Sequence, residues 1–154
     1  MGNPMYVADS KRLTLAGARK MMDTATSGAE KAGFAVAIAI VDAGGHPVLI
    51  QRMDGGRFHT VHSSTTKAVC AASNMRPTTA RGAAAQPLDT MHALGLALAA
   101  GPERWTAMEG GYPIIVGGVC VGGIGVSGGN WELDDRLARK AVEAIGATYK
   151  IDTA

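Results

Sequence analysis

The sequence predicts an α/β fold of the α+β kind, a layered domain with helices packed on an antiparallel sheet. Three observations predict it. Two β-hairpin patterns are separated by helical stretches, one strand is apolar on both faces, and a helix stands at each end of the chain.

The first helix runs from about Thr14 to Ala32, because Leu15, Ala18, Met22, Ala25 and Ala29 recur at three- and four-residue spacing. Gly33 is placed to end it in a left-handed conformation. Ala35–Val41 then reads as a strand. Val36, Ile38 and Ile40 face one way, while Ala35, Ala37, Ala39 and Val41 face the other. With both faces apolar the strand is central, and its alanine face lets a covering helix approach closely. Asp42-Ala43-Gly44-Gly45 is turn chemistry, and Pro47–Met53 is the returning strand.

Thr60–Ser73 is helical, with Val61, Thr65, Ala68 and Ala72 on one face. A short helix is expected at Thr78–Ala84, a partly helical apolar piece at Pro87–Ala100, and a short extended piece at Trp105–Met108. Tyr112–Val116, Gly117-Gly118 and Val119–Ser127 form the second hairpin. Trp131–Ile145 is the last helix, capped by Ser127 or Asn130. Glu132, Asp134 and Asp135 stand in its first turn and Arg139 and Lys140 later, an order that suits the helix dipole.

The 154 residues suit one domain, taken as residues 1–154, and 47% hydrophobic against 18% charged residues suits a well-buried core. A net charge of +2, with no basic-aromatic cluster, argues against nucleic acid. Apolar runs are short and broken by glycine, so no membrane span is expected. MGNPMYVADSKR lacks the pattern of a signal peptide. Cys70 and Cys120 sit in apolar surroundings without a partner motif. They are expected to be free thiols in a reducing cytoplasm.

Gly123–Gly128, GIGVSG, matches the dinucleotide fingerprint. That fingerprint needs a further strand and an acidic residue about 20 residues on, and after Asn130 only one helix and a short tail are read. The favoured alternative is structural: Gly122, Gly123 and Gly125 lie in a strand where a helix or another backbone packs close. The other reading is an anionic group at the last helix's N-terminus.

Three motifs in order, AIAIVDAGGHPVLIQRMDG (Ala37–Gly55), STTKAVCAA (Ser64–Ala72) and GGYPIIVGGVCVGGIGVSGG with an acidic helix start (Gly110–Asp135), resemble the GlcG/HbpS family, formerly DUF336. The resemblance runs from about Leu13 to Ala147. It implies a profilin-like fold, a five-stranded antiparallel sheet with helices on both faces. It also implies a homo-oligomer, from dimer to octamer. Some members of the family bind haem or are linked to haem degradation or iron sensing. Others are encoded among catabolic enzymes. The chain departs from the family pattern at Met108-Glu109-Gly110-Gly111, where Pro-Gly-Gly is common, and at Asn130-Trp131-Glu132-Leu133-Asp134, where Ser-Pro-Glu-Gln-Asp is common. Both departures lie near the expected pocket.

Candidate residues follow. Arg52 can fix a carboxylate as a bidentate fork, or simply pair with Asp54 on the surface. Lys67, in an otherwise neutral helix, can bind an anion or have its charge destabilised, or snorkel to solvent. Glu109, among glycines that let a ligand reach the backbone, is the first choice for a general acid or base, or is a solvated loop carboxylate. Tyr112 can donate a hydrogen bond or serve only in the sheet. His59 and His62, three apart at a helix start, can meet a metal or haem iron, or face solvent. No third ligand is placed, and no metal site is assigned. Gly110 and Gly111 border the pocket, and Trp131 caps the core or stacks on a flat ligand. No nucleophile elbow or phosphate loop is present.

Two functions remain in view. The first is a small-molecule-binding protein for haem or a related flat anionic ligand, with Arg52 and Lys67 meeting its carboxylates and His59 or His62 its iron. The second is a cofactor-independent isomerase or lyase on a small organic acid. There Glu109, with Lys67 or Tyr112, moves a proton. A structural or regulatory oligomer with a vestigial pocket is the third.

Overall fold

The computed structural model describes residues 2–151. The elements are α1 (Leu15–Ala32), β1 (Ala37–Asp42), β2 (Pro47–Arg52), α2 (His59–Asn74), α3 (Thr90–Ala100), β3 (Gly111–Val116), β4 (Val119–Ser127) and α4 (Trp131–Ala144). The strands form one antiparallel sheet in the order β2-β1-β4-β3, which makes β1 and β4 central. Helices α1 and α4 cover one face and α2 the other.

The α+β class holds, but the sheet has four strands, not five. Residues 105–108 do not pair with it, because their polar groups are engaged locally. Thr106 O accepts from the Cys70 thiol, and Thr106 Oγ1 from the Met108 N–H. Beyond β3 there is a single bridge, Ile115 to Thr148. The helix expected over Thr78–Ala84 is also absent. That segment starts a surface arm closed by the Arg81–Pro87 bridge, with the Arg81 guanidinium donating to Ala85 O at 2.9 Å.

The Thr14 hydroxyl caps α1 by accepting from Gly17 N–H at 3.1 Å, and Gly33 ends it at φ 76°. Ala18, Met22, Ala25 and Ala29 are buried as expected. Leu15 is 44% exposed, and Met21 fills the core in its place. Val36, just before β1, and Ile38 and Ile40 within it join Ile124, Val126 and Leu137 in the main core. Ala39 and Val41 face α2 and meet Ala68 and Ala72.

The glycines of β4 explain how α2 lies so close. A Cβ at Gly123 would overlap Ala68 O, and one at Gly125 would overlap Ser64 O. The GIGVSG segment is therefore a packing surface for α2. The buried residues of α2 are Thr60, Ser64, Lys67, Ala68, Cys70, Ala71 and Ala72, so Ala68 and Ala72 of the expected stripe are buried while Val61 and Thr65 are only half-buried. The hydroxyls of Thr60 and Ser64 donate to Arg57 O and Val61 O, so both can be buried without an unpaired group.

Candidate functional site

Lys67 lies on the buried face of α2, 3% exposed, with its ammonium pointing past β4. It donates to Val126 O at 2.8 Å and to Asp134 Oδ2 at 3.4 Å. Asp134, in the first turn of α4, is 4% exposed and also accepts from Gly129 N–H at 3.0 Å. Asn130 caps the same helix by accepting from Leu133 N–H. Burial pushes the Lys67 ammonium down and the Asp134 carboxyl up, and each group's charge opposes the other's shift. Gly110, at φ 113°, is the floor behind this pair: a Cβ there would come within 3.0 Å of Lys67 Nζ and of Asp134 Cβ. Gly111 presses on Lys67 O in the same way.

Above the pair is a cleft of about 480 Å³, bounded by the start of α2, by Ala107–Glu109 and by the start of α4. Its lining includes Arg57, His59, Lys67, Met108, Glu109 and Trp131. Ser63 and Ser127 line it too and share a 2.6 Å hydrogen bond. Trp131 is 61% exposed, so it stands on the rim and does not cap the core. A second hollow, of about 580 Å³, lies on the far side of Glu109 and Trp131 and reaches Tyr112 and Asp135. Larger concavities lie elsewhere, including one of about 820 Å³ beneath α3. The 480 Å³ cleft is nevertheless where the predicted side chains converge.

Glu109 is half-buried and is not a free loop carboxylate. Its Oε1 accepts from Ala80 N–H at 3.1 Å and from the Thr79 hydroxyl at 3.4 Å. The Tyr112 hydroxyl donates to Asp135 at 2.9 Å, and its ring packs edge-on to Tyr149. Burial pushes the Tyr112 hydroxyl well up, and the Asp135 carboxylate beside it adds to the rise.

The fold thus brings Lys67, Glu109, His59 and Trp131 to one cleft, with Gly110 and Gly111 as its backing. Tyr112 falls in the adjoining hollow. Arg52, Asp54 and His62 are not part of it. Arg52 ends edge strand β2, where it pairs with Ala37, two strands from Ser127. Its stem lies over Gly56, and among the described residues it makes no ion pair with Asp54. His62 is excluded by helical geometry. His59, Thr60, Ser63 and Lys67 share an arc of α2, and a residue three after His59 falls outside it.

Several cleft residues are not singled out as site residues by the sequence, among them Asp134, Arg57, Ser127 and Met108. Asp134 was explained by the helix dipole alone. Arg57 adjoins His59 but precedes the helix. Ser127 was weighed only as a cap. Among the described residues no group of three or more His, Cys, Asp or Glu side chains is placed to hold a metal ion.

Comparison with known proteins decides the family. The family model described as haem degrading protein HbpS-like matches residues 13–143. The chain belongs to the HbpS-like family. An uncharacterized 15.0 kDa protein from the dhaT-dhaS intergenic region of Citrobacter freundii is 34% identical over 133 residues, covering 86% of this chain and 92% of that protein. Protein GlcG of Escherichia coli K12 is 32% identical over 99 residues, 64% of this chain and 69% of GlcG.

Among solved HbpS-like structures, Klebsiella pneumoniae ORFY superposes with a TM-score of 0.78 at 32% identity, covering 90% of this chain and 94% of that one. PduOC in its complex with heme gives a TM-score of 0.79 at 25% identity, over 90% and 99% of the two chains. A double mutant of Streptomyces reticuli HbpS gives 0.77 at 30% identity, over 93% of each.

Proposed function

We propose that this HbpS-like chain binds haem or a related flat anionic ligand in the cleft between α2, Ala107–Glu109 and the start of α4. The observation that carries the reading is the cleft's set of side chains. His59 and Met108, both of iron-ligating type, face one cleft whose volume lies in the range of small-molecule sites. Arg57 supplies a cation there, and Trp131 an exposed ring for stacking. These residues fit haem. The heme complex of PduOC, a chain of the same fold at 25% identity, supports the choice of ligand.

In this reading His59 is the iron ligand, Arg57 binds a propionate, and Trp131 lies against the macrocycle. Arg57 takes the role first assigned to Arg52, which lies elsewhere. Lys67 braces the floor, because its ammonium is committed to Asp134 and Val126 O. Bound haem would supply ligand-binding or redox chemistry at its iron. Proton transfer by Glu109 gains no support, since its Oε1 is engaged by the Thr79 hydroxyl and the Ala80 N–H.

We read the architecture as profilin-like with one strand reduced to the Thr148 bridge, and the chain as one domain. Among the described residues no helix is long and apolar enough to cross a membrane. The free Cys70 and Cys120 support a reducing, cytoplasmic setting.

Titration of the ligand-free protein with haemin tests the reading. The expected result is a saturable Soret shift that His59→Ala abolishes and His62→Ala leaves intact. No saturable shift, or equal loss in both variants, would overturn it.

A further inference from the structure

Two side chains of the candidate cleft have no part in holding the fold. Met108 is a large apolar residue, yet it is 51% exposed and belongs to neither hydrophobic cluster. His59 takes part in side-chain hydrogen bonding only through its carbonyl, which leaves both ring nitrogens unengaged among the described residues. The neighbour of that ring is Phe58, edge-on with centroids 6.2 Å apart. The backbone that carries Met108 is nonetheless fixed. Its N–H donates to Thr106 Oγ1 at 3.1 Å, and Thr106 O accepts from the Cys70 thiol. On the other side the Glu109 carboxylate is engaged by Ala80 N–H and the Thr79 hydroxyl, and Gly111 N–H donates to Thr78 Oγ1 at 2.8 Å. A side chain free of packing duty on a pinned backbone is what a preorganised ligand position requires.

The other nitrogens of the cleft are committed or have no lone pair to give. The Lys67 ammonium is held by Asp134 and Val126 O. The Arg57 guanidinium and the Trp131 indole are donors only. Among the side chains that line the cleft, His59 and Met108 alone present an uncommitted nitrogen or sulfur. They stand on different walls, His59 at the start of α2 and Met108 in the Ala107–Glu109 segment.

We propose that Met108 is the second axial ligand of bound haem, set against His59. The proposal rests on the haem reading above and goes beyond it by assigning the state of the iron. Imidazole and thioether together fill both axial positions, so the iron is low-spin and closed to small exogenous ligands. A thioether opposite an imidazole also raises the reduction potential. Haem held in this way suits carriage or electron transfer, and not activation of dioxygen. Met108 lies in one of the two segments where the chain departs from the family pattern, so the ligand set is a feature of this chain.

Absorption and electron paramagnetic resonance spectra of the full chain loaded with haemin test it. The ferric wild type is expected to be low-spin, with the weak long-wavelength charge-transfer band of a thioether bound to iron. Met108→Leu keeps the apolar bulk and should still give a saturable Soret shift. It should lose the charge-transfer band, turn high-spin and bind azide that the wild type excludes. Met108→His should restore a low-spin spectrum without the band. A wild type that takes up haemin saturably but is high-spin, or a Met108→Leu variant that stays low-spin, would overturn the proposal and leave the haem reading standing. No saturable uptake by the wild type would overturn both.

Discussion

The ion pair of Lys67 and Asp134 costs several kcal/mol of desolvation per charge. The offsetting groups are the Val126 carbonyl, the Gly129 N–H and the opposite charge. Removing one partner leaves the other charged and buried. Asp134→Asn or Lys67→Met should therefore cost about 3–5 kcal/mol, and the double variant Lys67→Met/Asp134→Leu much less than the sum. Urea unfolding of the set measures this, and additive single effects would contradict it. Tyr112 sets a pH dependence. Its hydroxyl titrates above the ordinary value in the folded state, so the folded protein keeps a proton that the unfolded chain releases. That contribution is intact below about pH 10 and is lost as the pH rises from there. Tyr112→Phe should flatten the alkaline fall in stability and cost about 1 kcal/mol near neutrality. Lys67 was conspicuous in sequence as a lone charge in a neutral helix. Its partner was not, because a first-turn aspartate already has a local reason to be there.

At the scale of elements, the close seating of α2 on β4 depends on missing side chains. Gly125→Ala would drive a methyl into Ser64 O and should destabilise by about 3 kcal/mol, the upper end for overpacking. Gly33→Ala is a contrasting case. It meets nothing within 4 Å and carries only the left-handed backbone penalty at φ 76°. About 1 kcal/mol is expected there. Chemical denaturation of both variants measures the difference, and equal effects would contradict the packing account. Of the expected α2 stripe, Ala68 and Ala72 are buried, but Val61 and Thr65 give way to Thr60, Ser64 and Lys67. Small hydroxyl residues can be buried when their own helix carbonyls accept from them, and hydrophobic periodicity does not register that. The interior strand β1, by contrast, was legible in full, since alternation over Val36–Val41 leaves one choice of faces.

For the whole molecule, haem held only by the folded chain would couple stability to ligand concentration. The thermal midpoint of the wild type should rise with haemin concentration, while that of His59→Ala should not, because mass action favours the state that binds. Scanning calorimetry over a wide range of haemin concentration reads both. The cleft draws on the whole fold for this, since His59, Arg57 and Trp131 belong to α2, its approach and α4.

The elements with strong local signals, namely both hairpins, α1, the span of α2, and α4, followed from sequence alone, because capping, glycine conformation and periodicity act within a few residues of one another. So did the family resemblance, carried by three ordered motifs. The strand at 105–108 and the helix at 78–84 were misjudged because their backbone groups are engaged by Cys70, Glu109 and Gly111. Only the tertiary structure joined Lys67 to Asp134 across 67 positions, kept His59 in the cleft while turning His62 out, and set Arg52 apart. Those outcomes depend on helix phase and strand order, which long-range packing decides.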